Sequence, residues 1–282
     1  MAKTWKDSDI SLDPIKDQII AIIGYGKLGG LELGYGSDLD LVFIHDSAGS
    51  QQETTGQKTI ENSVFFTRLA QRLIHVLGTK TSSGSAYEID VRLRPSGASG
   101  LLISSAEAFD AYQTGSAWDW EHQALVRARS IAGDVGVMRK FDAIRNRTLA
   151  RSRNEHKLKN SILDMRSRMR RELDRTDPLL FDLKHGAGGI TDIEFMVQYA
   201  VLRWAYDHPS LLAWTDNFRL LEAIAELGLM PAAQCHRMQE AYVVLRARLH
   251  QHALQRTEGY PNKSDMQNCH ETVIEIWNGV FN

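Results

Sequence analysis

The residues of this chain best suited to chemistry are acids spaced two apart. Ser37-Asp38-Leu39-Asp40 is followed later by Tyr87-Glu88-Ile89-Asp90-Val91-Arg92-Leu93-Arg94. On a strand, residues two apart share a face, so Asp38 and Asp40 point one way while Leu39 and Leu41 point the other. Neighbouring carboxylates repel unless a cation lies between them. A hard divalent ion such as Mg²⁺ takes carboxylate oxygens together with substrate phosphates. In the later stretch the odd positions are apolar or aromatic and the even ones charged. This predicts a strand with one face in the core and Glu88, Asp90, Arg92 and Arg94 in a row on the other. Taken alone, such a strand fits a solvated outer face equally well. Beside Asp-x-Asp, however, Asp90 supplies the third acid of a two-metal site, and arginines suit phosphate oxygens. Glu88 reads as peripheral to that site.

A competing motif overlaps the first acids. Gly24, Gly26 and Gly29 spell G-x-G-x-x-G, and Asp46 stands near the place of a ribose-binding acid. A dinucleotide-binding unit needs a full crossover helix after its glycines. Only LELGYGS separates Gly30 from the acids, and Gly34 and Gly36 interrupt any longer helix. The glycines therefore fit a different task. Gly29 and Gly30, opening a short helical turn, predict backbone amides that approach a triphosphate.

The elements that must position these residues are predicted as strands over Gln18–Ile23, Leu39–His45 and Ala86–Arg94. The polar stretch Asp46–Lys58 reads as a loop. A helix follows, with a stripe of Ile60, Val64, Leu69, Leu73 and Leu77 closed by Gly78. Pro95-Ser96-Gly97-Ala98-Ser99-Gly100 marks a break. Beyond it, SAEAFDAYQ, AWDWEHQALVRAR, GVMRKFDAIRNRTLA, KLKNSILDMRSRMRRELDR, DIEFMVQYAVLRWAYD, NFRLLEAIAELG, PAAQCHRMQEAYVVLRARLHQHALQ and ETVIEIWNGVF read as successive helices. The expected fold class is α+β, a mixed-sheet domain over residues 1–104 followed by an all-α helical bundle over 105–282.

Composition narrows the function classes. Two cysteines, Cys235 and Cys269, lack zinc or redox spacing and read as reduced thiols in a cytosolic protein. Met1 to Asp13 is polar rather than signal-like, and no apolar run is long enough to span a bilayer. A formal net charge of -2 gives no basic footprint for nucleic acid. The basic stretch Arg145 to Arg175 is interspersed with Glu155, Asp164, Glu172 and Asp174, so a solvated helix face is expected there. Thr191-Asp192-Ile193-Glu194 fits a capping box, and Trp118 and Trp120 are expected to pack.

Gly-Gly, an Asp-x-Asp strand and a later acid on a neighbouring strand resemble the DNA polymerase β-like nucleotidyltransferase superfamily. GYGKLGGLELGYGSDLDLVF, TSSGSAYEIDVRLRPSG, WEHQALVRAR and GGITDIEF, in that order, resemble glutamine synthetase adenylyltransferase, specifically its C-terminal, adenylylating half, over nearly the whole chain from about Ile19. One Asp-x-Asp and one RLRP mean that only one half is present. The resemblance implies a cytoplasmic enzyme that moves AMP from ATP to a tyrosine of glutamine synthetase, down-regulating nitrogen assimilation, with Mg²⁺ on Asp38, Asp40 and Asp90. Gly29, Gly30, Ser37, Arg92 and Arg94 would meet the nucleotide, and Lys184, before a glycine run, could reach it from the helical domain. PII signal protein and glutamine are the implied regulators. Two alternatives stand beside this: phosphorolytic removal of AMP at the same site, and a non-catalytic module that responds to PII or glutamine. Three intact acids disfavour the second.

Overall fold

A computed structural model describes residues 20–47, 52–54, 58–80, 82, 84 and 87–282. Met1–Asp13, the first two residues of the expected first strand, Ala86, and positions 48–51 and 55–57 of the expected loop lie outside them. The chain divides into two compact units, one of residues 1–29, 37–117 and 128–145, the other of 30–36, 118–127 and 146–282.

The first unit is built on a mixed five-stranded sheet. β1 (Ile20–Gly24) pairs antiparallel with β2 (Leu39–His45) and, on its other edge, with β5 (Arg129–Gly133). β2 pairs parallel with both β3 (Ile89–Asp90) and β4 (Ile103–Ser105). Leu41, Val42, Phe43 and Ile44 of β2 are buried, as are Ala21 and Ile23 of β1, so the central strands form a two-sided core. A single turn, α1 (Gly26–Gly29), follows β1. α2 (Asn62–Leu77) buries Phe65, Phe66 and Ala70. Its inward face is therefore not the stripe expected from Val64 and Leu77, which are exposed; two adjacent phenylalanines outweigh the longer aliphatic row. α3 (Ala106–Gly115) starts at Ser105, whose hydroxyl accepts the Ala108 N–H at 3.0 Å.

The second unit is helical, as the 3.6-residue pattern predicts: α4 (Asp119–Val126), α6 (Glu155–Leu173), α7 (Ile190–Trp204), α8 (Asn217–Glu226), α9 (Ala232–Gln255) and α10 (Gln267–Phe281). α5 (Val135–Leu149) has its first residues in the first unit and its last four in the second. α7 is buried almost all round, which explains its near-continuous apolar sequence. Trp118 and Trp120 are 70% and 36% exposed, against the expectation of packing. Among the described residues, no helix is long and apolar enough to cross a membrane.

The sequence boundary at 104/105 and the observed division differ. Residues 105–117 and 128–145 fall in the first unit because α3 packs against β2 and β4, and β5 completes the sheet on β1. β4 and β5 escaped the sequence reading. Each is short, and Arg129 looked like the end of a helix that stops at Val126.

Candidate metal and nucleotide site

The parallel pairing of β2 with β3 aligns Leu39 with Ile89 and Asp40 with Asp90. The Leu39 N–H donates to the Glu88 carbonyl at 2.8 Å, which fixes the register at the mouth of the pair. Carboxylate oxygens of Asp38, Asp40 and Asp90 consequently lie within 4.8 Å of one another. Asp38 is exposed and the other two are half-buried, so the cluster opens to solvent on one side. Three hard oxygen donors converging at that spacing suit a divalent cation.

Gly26 acts on this cluster sterically. Gly26 has φ +54, and a Cβ there would lie 2.1 Å from Asp40 Oδ2. Only a glycine allows both that backbone and that approach. The Tyr25 N–H donates to the Asp40 carbonyl at 2.9 Å, tying the turn to the strand. Gly29, expected at the phosphates, instead donates its N–H to the Tyr25 carbonyl at 2.9 Å. Arg129 of β5 closes the far end of α1, donating Nε to the Gly29 carbonyl at 3.1 Å and Nη2 to Leu28 at 3.3 Å. Gly30 is small for another reason: a Cβ would lie 2.7 Å from the Arg127 guanidinium within the second unit.

Ser37 is buried, and Lys27 Nζ lies 3.5 Å from its hydroxyl. Lys27 lies inside the glycine motif, whose spacing singles out only the glycines.

The second acid strand differs from expectation. β3 ends at Asp90, and no alternating row reaches Arg94. The Asp90 carboxylate accepts the Arg92 N–H at 2.8 Å, an Asx-type turn, and Ser96 and Gly97 then adopt φ of +60 and +58. Side-chain and backbone chemistry therefore competes with strand extension and wins. Arg92 also donates Nε to Asp90 Oδ2 at 2.9 Å, and this hydrogen bond holds the Asp90 carboxyl below the usual aspartate range. Arg94 is turned back onto its own loop, donating to the carbonyls of Val91 (2.7 Å), Ala98 (3.2 Å) and Gly100 (3.3 Å). It braces the loop that follows Asp90.

Lys184 belongs to the second unit and is exposed on the turn leading into α7. Its N–H donates to Asp182 Oδ1 at 2.9 Å, and its carbonyl accepts the Thr191 N–H at 3.1 Å. The expected capping box does not form. α7 is capped by the Gly189 backbone, Asp192 pairs with Arg166 and Arg170, and Glu194 pairs with Arg127.

The sequence also missed a buried polar cluster in the second unit. Arg127 of WEHQALVRAR meets Glu194 of ITDIEF and Glu32 of GGLELG. Glu32 further accepts the Asn217 N–H at 3.0 Å and the Tyr242 hydroxyl at 2.5 Å. Burial draws the Arg127 guanidinium down, but Glu194 and Glu32 more than reverse this and hold it charged above arginine's ordinary value. No spacing rule reveals the cluster, since its members come from distant segments. The segment directly before Ser37-Asp38 is thereby anchored by buried, charge-assisted bonds.

Comparison with known proteins places these residues in context. A family model described as glutamate-ammonia ligase adenylyltransferase matches residues 4–144, and one described as GlnD PII-uridylyltransferase matches 156–269. The chain is 52% identical over 261 residues to a bifunctional glutamine synthetase adenylyltransferase/adenylyl-removing enzyme of Thioalkalivibrio sulfidiphilus, covering 93% of this chain and 27% of that protein. Proteins with the same description match from Hahella chejuensis (46% over 286 residues, 100% and 30%) and Pseudomonas aeruginosa (50% over 273 residues, 93% and 28%). The chain thus spans less than a third of the length of these relatives.

Proposed function

Since the chain belongs to the glutamate-ammonia ligase adenylyltransferase family, we propose that it transfers AMP from ATP to a tyrosine of glutamine synthetase, as the adenylylating half of a longer enzyme, with Mg²⁺ held by Asp38, Asp40 and Asp90. The observation that carries this reading is the convergence of those three carboxylates across the β2–β3 pair. A mixed sheet with Asp-x-Asp at the start of one strand and a single acid on its parallel neighbour supports a polymerase β-like nucleotidyltransferase core.

The residues present fit the cation by charge and by donor type. When bound, it neutralises phosphate charge and stabilises the departing pyrophosphate. The chain's own residues do the rest. Ser37 and Lys27 orient the phosphates beside Asp38. Arg92 leaves Asp90 and takes up phosphate charge, while Arg94 keeps the loop in place. A tyrosine phenol, with an ordinary pKa of about 10, needs its proton accepted as it attacks, and a carboxylate of the cluster is the acceptor at hand. The phenol oxygen forms a bond to the α-phosphorus, the bond to the β-phosphate oxygen breaks, and pyrophosphate leaves. Gly30 serves by leaving room for the Arg127 guanidinium. The relatives' description also names adenylyl removal. The same carboxylates would serve that direction, with inorganic phosphate as attacking group. PII protein and glutamine fit as regulators, PII because a PII-uridylyltransferase model matches the helical segment.

The test is transfer of α-labelled ATP to unmodified glutamine synthetase with Mg²⁺, for this chain and its Asp40→Asn variant. Asp40 is half-buried and asparagine keeps its shape, so the variant is expected to fold normally and lose transfer at least ~10³-fold. Substantial activity in Asp40→Asn overturns the metal assignment. Absence of label with both proteins, but release of ADP from pre-adenylylated synthetase in phosphate, assigns the opposite direction.

A further inference from the structure

The basic stretch of α6 is not a uniformly solvated face. The Arg166 side chain is 1% exposed. Its Nε donates to Asp192 Oδ1 at 2.6 Å and its Nη2 to the His185 carbonyl at 2.8 Å. Nη1 is buried with no hydrogen-bond partner. Arg170 Nη2 reaches both Asp192 oxygens at 3.0 Å, and its Nε is also buried and unpartnered. Asp192 accepts the Gly188 N–H at 2.7 Å as well, so its carboxylate is filled and cannot take the spare donors. A buried charged donor without an acceptor is costly. Burial accordingly pushes Arg166 below arginine's ordinary value even with Asp192 alongside.

Both arginines line a cavity of about 270 Å³ whose other walls are Leu163, Ser167, Arg171 and Trp277. Three arginines, a serine and a tryptophan are among the described residues that line it, and no acid is. The last turn of α6 favours cations through its exposed carbonyls, which accounts for Arg170 and Arg171. It does not account for a fully buried Arg166 with an unused N–H.

We propose that this cavity binds a tetrahedral oxyanion of the phosphate class, free or attached to a small metabolite, held by Arg166, Arg170, Arg171 and the Ser167 hydroxyl. Guanidinium forks match such an anion, and the cavity is roomier than one phosphate needs. The Trp277 indole offers a flat apolar wall for an attached group. This inference stands on α6, α7 and α10 and does not depend on the catalytic reading above.

Calorimetry in chloride buffer without divalent cation tests it, using inorganic phosphate and phenyl phosphate as probes. Both are expected to bind the unaltered chain. Arg171 is exposed, so Arg171→Gln keeps the fold and should weaken both probes severalfold. Arg170→Gln together with Arg171→Gln should cost at least about tenfold, as expected for lost charge-assisted bonds. Inorganic phosphate binding more tightly than phenyl phosphate identifies a free ion. Phenyl phosphate binding more tightly, with the advantage lost in Trp277→Phe, identifies a phosphorylated metabolite. No heat from either probe up to about 10 mM, or affinities unchanged in both arginine variants, overturns the proposal.

Discussion

Gly26→Ala isolates the contact that sets the position of Asp40. Two costs enter. An alanine at φ +54 sits in the left-handed region, at roughly 1–2 kcal/mol, part of which is offset because alanine restricts the unfolded chain. The new Cβ also lies 2.1 Å from Asp40 Oδ2, where ordinary contact begins at 3.4 Å, so the carboxylate or the turn must move by ~1 Å or more. Overpacking of that kind costs about 1–3 kcal/mol. Gly97→Ala supplies the reference within the same unit, because its φ is +58 and its nearest atom stands 3.6 Å away. Gly97→Ala should therefore lose ~1 kcal/mol or less and Gly26→Ala roughly 2–4 kcal/mol in urea unfolding. A displaced ligand costs about 10²-fold in catalysis, so Gly26→Ala should also lose Mn²⁺ affinity and AMP transfer, whereas Gly97→Ala keeps Mn²⁺ binding. The decisive comparison is a double-mutant cycle. In an Asp40→Ala background the clash is gone, and Gly26→Ala should cost no more than Gly97→Ala. Equal costs of Gly26→Ala with and without the Asp40 carboxylate would refute the steric reasoning.

Two further outcomes follow from the buried groups. Glu32→Ala removes one of the two carboxylates that hold Arg127 charged and strips Asn217 and Tyr242 of their acceptor, so a loss of about 3–5 kcal/mol is expected in denaturant unfolding; a loss under ~1 kcal/mol would show that the cluster is not built as described. Burial pushes the Cys269 thiol up to about 11, so it stays protonated at neutral pH and should react with iodoacetamide at least ~10²-fold more slowly at pH 8 than the same cysteine in urea. Because its folded pKa is raised, its contribution to stability is complete below the unfolded value near ~8.5 and falls as pH rises toward 11; a pH-independent alkylation rate counts against this.

The helices of the second half were legible because a 3.6-residue apolar pattern depends only on local spacing and one buried face. β2 was legible from its uninterrupted apolar run, and Asp38, Asp40 and Asp90 from alternation and charge. The row running to Arg94 was not, because the Asp90 side chain turns the chain through the Arg92 N–H, a competition that alternation cannot register. β4 and β5 are three and five residues long, and their strand character comes from pairing with β2 and β1. α2 leaves Val64 and Leu77 of its aliphatic stripe exposed and buries Phe65 and Phe66 instead. Sequence alone thus determined which residues carry charge and which segments alternate. Only the tertiary structure decided that Asp40 and Asp90 share one register, that Gly26 exists to let Asp40 in, and that Glu32, Arg127 and Glu194 meet. Those facts depend on groups far apart in the chain, whose encounter is set by the packing of whole elements rather than by any local preference.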